Sequence, residues 1–277
     1  MNKVISFSLW GEKSVYNMGA ILNAEIAEKE WPGWTCRFYV APDVPEPVVE
    51  NLDVRENVEV IRMSKDDGWR GMFWRFLAAE DPEVDVMLSR DADSRLHIRD
   101  KAAVEEWLES DKKFHIMRDN CQHGWRICGG LWGCRGKYIH GLSHLIETFI
   151  QQDTENNHGV DQRFLNNFYN TIVHEAFVHD DWFPPNGKED KKPFPIPRLR
   201  GNKWWEQEFP EWHSGIEDDP VRFPHWQPPE GQGHCFLKCP ACGNFHDNDY
   251  LGKVVSITKD EEERYNQILK GNEKWQS

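Results

Sequence analysis

The sequence predicts an α/β protein built on a mostly parallel sheet flanked by helices, and three observations carry that reading. Residues 3–10, 35–40 and 58–61 are apolar, β-branched or aromatic runs of strand length. Residues 17–30 place Ala20, Ile21, Ala24, Ile26 and Ala27 at helical spacing, and Met72, Phe73, Phe76 and Leu77 repeat that spacing before the next strand run. Strand and helix patterns therefore alternate, which is the order a parallel sheet with crossover helices requires.

The remaining elements follow in order. Pro42, Pro45 and Pro47 punctuate a loop, and Val84-Asp85-Val86-Met87-Leu88 reads as a buried strand. Asp100 is the expected N-cap of a helix running to Leu108, and Phe114-His115-Ile116-Met117 is the next strand. Residues 127–134 form a glycine-laden extended segment, a helix is expected near 142–150, and a last strand carries His174 and His179, with the core closing by about Asp181. From Pro184 the composition changes. Pro184, Pro185, Pro193, Pro195 and Pro197 crowd together, with Trp204, Trp205, Trp212 and Trp226 beyond them. The expected division is a catalytic domain over 1–183 and an irregular Pro/Trp-rich extension over 184–277, ending in a charged helix over 259–272.

Composition narrows the function. A formal net charge of −14 over 277 residues argues against a surface made for general polyanion binding. No apolar run approaches the ~20 residues that cross a bilayer, and the first residues enter a strand pattern without a signal-peptide cleavage site, so a cytoplasmic protein with no membrane partner is expected. Seven cysteines, four of them scattered, do not make a disulfide framework.

The chemistry centres on Asp91-Ala92-Asp93, which leaves the strand over 84–88. Two carboxylates at i and i+2 on the carboxyl edge of a sheet suit a hard cation, Mn2+ or Mg2+, that keeps open positions for a diphosphate. Standing alone, the tripeptide reads sooner as a solvated turn. Around it, Tyr16 and Trp10 offer faces for a base, Trp10 also reading as core. Arg75 offers a phosphate contact or a partner for Glu80, and Arg90 and Arg95 bracket the acids. Gly129 and Gly130 permit close backbone approach beside Trp132, whose face suits a sugar or the core. Asp161, followed by Gln162, stands at a helix start as a cap or as a sugar contact.

In their order and spacing, Phe7-Ser8-Leu9-Trp10 with Tyr16, Arg75 before Asp91-Ala92-Asp93, Gly129-Gly130-Leu131-Trp132-Gly133 and Asp161-Gln162-Arg163-Phe164-Leu165-Asn166 resemble a GT-A type glycosyltransferase, most nearly the glycogenin-like retaining enzymes. The resemblance covers residues 3–183. It implies a Rossmann-like GT-A fold and transfer of a hexosyl or pentosyl group from a nucleoside diphosphate sugar, a UDP-sugar by preference, to a hydroxyl acceptor. Ser8, Tyr16, Arg75, Asp91, Gly129, Gly130 and Trp132 then bind the donor, and Asp161 and Gln162 act at the sugar. Asp91, Asp93 and His179 hold the metal. The chain departs from the family pattern after His179, where Asp180-Asp181-Trp182-Phe183 replaces the glycine and lysine expected there.

A separate cluster, Cys235, Cys239, Cys242 and His246, has the ligand types and the Cys-x-x-Cys turn of a small structural zinc knuckle. It supports rival readings: a nucleic-acid-binding zinc protein on an inactive α/β body, using Lys188, Lys191, Lys192, Arg198, Arg200 and Lys203, or a transferase acting on a modified nucleic-acid base. A phosphohydrolase with Asp91 as nucleophile fits less well, because three strand patterns precede the acidic pair.

Overall fold

Lys3–Leu9 (β1) is buried at every residue but the first, as a strand covered on both faces must be. It lies in a computed structural model that describes the chain except for 65–67, 120–122, 124, 137, 154, 156, 181–188, 197–235, 239–244, 248–250 and 272–277. The chain gathers into two units that interleave along the sequence: Met1–Leu96, Gly129–Phe168 and Gly252–Ser277 in the first, His97–Cys128 and Tyr169–Leu251 in the second.

In the first unit β1 pairs in parallel with Trp34–Val40 (β2) and with Val86–Ser89 (β4), and β2 pairs in parallel with Val58–Arg62 (β3). Trp132–Arg135, the sixth strand in chain order (β6), joins β4 antiparallel, with Ser89 opposite Trp132. The ladder β3-β2-β1-β4-β6 is thus parallel except at β6. Ser14–Glu30 (α1) and Glu46–Asp53 (α2) make the crossovers, and Phe7 stacks on Phe38 at 4.8 Å across neighbouring strands. Leu142–Gln152 (α4) and the first part of Val160–Ile172 (α5) complete this side of the core.

The helix expected around Met72 to Leu77 is instead a 3₁₀ run over Gly68–Ala79. Three residues per turn stack side chains at i and i+3. Phe73 and Phe76 meet edge to face at 5.9 Å in that way.

The terminal helix is present as Lys259–Leu269 (α6), opened by a full capping box between Thr258 and Glu261. Tyr265 and Ile268 are its buried face, against α1 and α2. Arg264 binds Glu25 of α1 at 2.6 and 3.0 Å, and Arg55 binds the same carboxylate at 3.0 Å. Burial raises the Glu25 pKa, but the two guanidinium groups outweigh it and the net displacement is downward. A carboxylate with a lowered folded-state pKa contributes stability that is present above its unfolded value near 4.5 and lost as pH falls through the folded one. Acidification below 4.5 should therefore loosen α6 first, seen as faster hydrogen exchange in α6, and Glu25→Gln should remove that pH dependence.

In the second unit Phe114–Arg118 (β5), Ala176–Asp180 (β7) and Asp190–Lys192 (β8) form a parallel ladder, β5-β7-β8. Ile98–Glu109 (α3) is capped by His97, whose Nδ1 accepts from the Arg99 N–H at 3.1 Å. Asp100 therefore lies inside the first helical turn, and its predicted place as cap is corrected by the helix's earlier start. Arg118 binds Asp180 at 2.7 Å and Glu189 at 2.6 Å. Lys191, its side chain buried, also meets Asp180 at 3.0 Å, and the exposed Lys192 meets Glu106 at 3.7 Å, so two members of the basic stretch are paired within the protein; Lys188, Arg198, Arg200 and Lys203 lie outside the described residues. Phe236–Lys238 (β9) and Phe245–Asp247 (β10) pair antiparallel, with His246 opposite Leu237. Among the described residues Cys36, Cys128 and Cys134 are unbridged, and no helix is long and apolar enough to cross a membrane.

Candidate functional site

The loop after β4 is held in place by α1. Gly19 lets them touch, since a Cβ there would stand 2.1 Å from the Ala92 carbonyl. Asn23, fully buried, donates to the carbonyl of Ser94 at 2.9 Å and accepts from the Leu96 N–H at 2.9 Å. Ser94 closes the turn by donating its hydroxyl to the Asp91 carbonyl at 2.9 Å. Asn23 and Gly19 carry no motif, and only a polar residue on an otherwise buried helix face hinted at them.

Arg75 is the hub. Its guanidinium is buried, with Nη1 donating to Asp91 Oδ1 and Nη2 to Asp161 Oδ2, each at 2.6 Å. Glu80, the alternative partner, instead accepts from Ser143. The pairing brings together three places far apart in sequence: the 3₁₀ run, the Asp91 loop and the start of α5. Asp161 Oδ1 also accepts from the Gln162 N–H at 2.9 Å. Burial pushes the Asp161 carboxyl upward, with Arg75 working against that rise, Asp91 adding to it and His158 helping Arg75. Asp93 is pushed up to about 6, first by burial and then by the Asp91 charge, with Arg75 opposing. Tyr16 is raised by burial, then by Asp93 and Asp91, so its phenol faces the same acids. Two carboxylates bond to one buried guanidinium and a third, Asp93, lies in the field of Arg75 and Arg95, so carboxylates outnumber guanidinium groups.

Gly129 and Gly130 do allow a close approach, but the protein's own side chains make it. A Cβ on Gly130 would stand 2.0 Å from Asp91 Oδ2, and one on Gly129 2.5 Å from Asp161 Oδ2, 2.6 Å from Arg75 Nη2 and 2.7 Å from Gln162 Nε2. Both glycines are thus required by the packing of the site itself. Trp132 is corrected: it is fully buried between Phe76 and Phe168, a core residue with no face for a sugar. The Ser8 hydroxyl accepts from the Arg75 N–H at 3.0 Å and donates to the Met72 carbonyl, which anchors the 3₁₀ run and leaves the side chain inside the protein rather than on a ligand. Arg90 turns inward to the carbonyls of Ser89 and Trp132.

The third expected metal ligand is differently placed. His179 belongs to the second unit, is fully buried, and uses both ring nitrogens: Nδ1 with His115 Nε2 at 2.8 Å and Nε2 with Glu106 at 3.1 Å. Burial lowers its pKa, which favours a neutral ring donating from Nε2 and accepting at Nδ1. Such a ring has no lone pair left for a cation. His174 is not on the strand at all but in the turn Val173–Glu175. Cys235, Cys239 and Cys242 lie outside the described residues, and among those described no group of three or more His, Cys, Asp or Glu side chains stands where a metal ion would be held.

Sequence reasoning missed the segment after Gly252. It returns to the first unit, packs Gly252 (φ +72°) on Leu131, and donates the Val255 N–H to the Asp93 carbonyl at 2.8 Å. The backbone two residues beyond Lys253 therefore borders the acidic loop.

No protein-family model and no curated protein matches the sequence. Solved structures do. The galactosyltransferase LgtC in complex with donor and acceptor sugar analogs is 12% identical with a TM-score of 0.47, over 76% of this chain and 95% of that one. The mannosyltransferase PcManGT from Pyrobaculum calidifontis, in complex with GDP-Man and Mn2+, is 12% identical with a TM-score of 0.42, over 74% and 59%. A glycosyltransferase involved in glycosylating the major capsid of PBCV-1 is 12% identical with a TM-score of 0.42, over 65% and 82%. At this level the likeness is one of partial chain path and carries no chemistry.

Proposed function

We propose that the chain is a glycosyltransferase that takes a sugar from a nucleoside diphosphate sugar, a UDP-sugar by preference, and passes it to a hydroxyl acceptor with retention. The observation that supports this best is the buried Arg75 bridge. Beside it, Arg75 Nε and Gln162 Oε1 are buried with no hydrogen-bond partner among the described residues, one donor and one acceptor. A sugar hydroxyl both accepts and donates, and so satisfies such a pair.

The donor set fits a hard cation. Asp91 Oδ2 and the Asp93 carboxylate are oxygen ligands in a place with surplus negative charge, and two carboxylates plus diphosphate oxygens and water are a usual Mg2+ or Mn2+ environment. When bound, the ion supplies Lewis-acid stabilisation of the leaving diphosphate. The protein's own groups do the rest. Arg75 fixes Asp91 through Oδ1 and so presents its other oxygen, while opposing the upward push that burial gives the Asp161 carboxyl. Asp161 and Gln162, at the start of α5, orient the sugar and face charge that grows at its reacting carbon. Tyr16 borders the acids at the base end, and Lys253 is the diphosphate contact that the sequence after His179 lacks.

Release of free nucleotide from a panel of nucleotide sugars, with and without Mn2+, tests the reading; no release with any donor would end it. Asp161→Ala should then lower kcat by ~10²-fold or more with less than about threefold change in nucleotide affinity, since the residue is placed at the sugar. Loss confined to nucleotide binding would move Asp161 elsewhere.

The knuckle remains a second metal site in this proposal. β9 and β10 pair antiparallel, and in sequence Cys235 precedes β9, Cys239 and Cys242 lie between the two strands and His246 belongs to β10. Thiolates select zinc where carboxylates select magnesium or manganese, so one chain holds both. Purified protein should carry about one zinc per chain, released in Cys239→Ser/Cys242→Ser. Metal analysis finding no zinc in protein prepared without chelators refutes it.

A further inference from the structure

The 3₁₀ run and the start of α5 meet three times. At depth Arg75 binds Asp161 at 2.6 Å; midway Phe73 and Phe164 pack edge to face at 5.6 Å; at the surface Trp69 meets His158 at 5.5 Å and 90°. The wall therefore grades from a nearly buried ion pair to an aromatic pair in water. Trp69 is 41% exposed and His158 is exposed as well. At about 2 Å of rise per residue, the six residues from Trp69 to Arg75 span about 12 Å, which leaves room for a second ring beyond one seated at Arg75. A large aromatic held at the mouth of a polar site and open to solvent is suited to the apolar C–H face of a pyranose, and the adjacent imidazole supplies a hydrogen-bonding group for the ring's hydroxyls.

We propose that Trp69, held edge to face by His158, is the acceptor platform, and that the acceptor is itself a carbohydrate whose pyranose ring stacks on the indole. This rests on the transferase reading, and the test separates the two. The full chain is assayed with a nucleotide sugar that it hydrolyses, and with methyl α- and β-pyranosides of glucose, galactose and mannose as acceptor probes. At least one glycoside should accelerate nucleotide release and become glycosylated. Trp69→Ala should raise the KM for that glycoside about tenfold, the loss of about 1.4 kcal/mol of stacking, with kcat changed less than about twofold. Trp69→Phe, which keeps an aromatic face, should restore most of the loss, and His158→Ala should reproduce part of it.

A Trp69→Ala enzyme with unchanged glycoside KM, a loss confined to kcat, or no response to any glycoside overturns the platform while donor hydrolysis still upholds the transferase. If no nucleotide sugar is turned over, saturation-transfer NMR with the same glycosides decides. Signal on the C–H face that disappears in Trp69→Ala upholds a carbohydrate site at Trp69 and leaves the transferase reading as the part that failed. No signal with the unaltered chain overturns the platform as well.

Discussion

Replacing Asp91 or Asp93 by Asn is expected to lower metal-dependent turnover by ~10²–10³-fold while the protein stays folded, because either change removes a charged oxygen ligand from the cation site. The fold should tolerate both. Asp93 is raised to about 6 mainly by burial and by its neighbour's charge, so neutralising it relieves a conflict. Asp91→Asn keeps an oxygen for Arg75 Nη1 and retains the shape that sits over Gly130. Circular dichroism and thermal melting report the fold, and nucleotide release against Mn2+ concentration reports the site. A folded variant with near-normal turnover would remove the metal assignment.

Arg75→Met should act on stability and activity together. It leaves Asp161, 2% exposed, as a buried carboxylate without its counter-charge, and breaking a buried pair from one side typically costs about 3–5 kcal/mol. The lone Asp161 is then pushed further up, so the folded variant holds a proton that the unfolded chain gives up, and its stability should rise as pH is lowered toward the unfolded carboxyl value. The wild-type protein, with Asp161 paired, should respond less. Arg75→Met/Asp161→Asn removes both charges and should recover much of the stability without recovering turnover. Denaturant unfolding at two pH values reads all of this; equal destabilisation in the single and double variants would show that the bridge is not what Arg75 contributes.

The strands and their mostly parallel sheet were legible because buried parallel strands are continuous apolar runs, and residues 3–10, 35–40 and 84–88 show them undisguised. The terminal helix was legible from its charge. Local periodicity failed at Gly68–Ala79, since four apolar residues over six positions fit three per turn as readily as 3.6. In the site, Asp91, Asp93, Arg75, Asp161 and Gln162 were named from sequence and stand together around one guanidinium. Trp132 and Ser8 were assigned to a ligand because their chemistry allows it, yet each is spent on the protein itself. A sequence gives a residue's capacity to bind, while the partners that use up that capacity come from other segments. Asn23 shows the converse, since it bears no motif and still determines where the acidic loop lies.

The return of the chain after Gly252 has a consequence for how the protein is made. Tyr265 receives a hydrogen bond from Asn17, 248 residues earlier, and Val255 closes on Asp93. Closing loops of that length is slow, and it waits for the whole intervening chain to emerge from the ribosome. The edge of the acidic loop is thus finished only once Val255 has been synthesised, so a chain interrupted before it carries both aspartates but not the segment that borders them. A product cut short at Gly252 is left without the backbone that closes on Asp93.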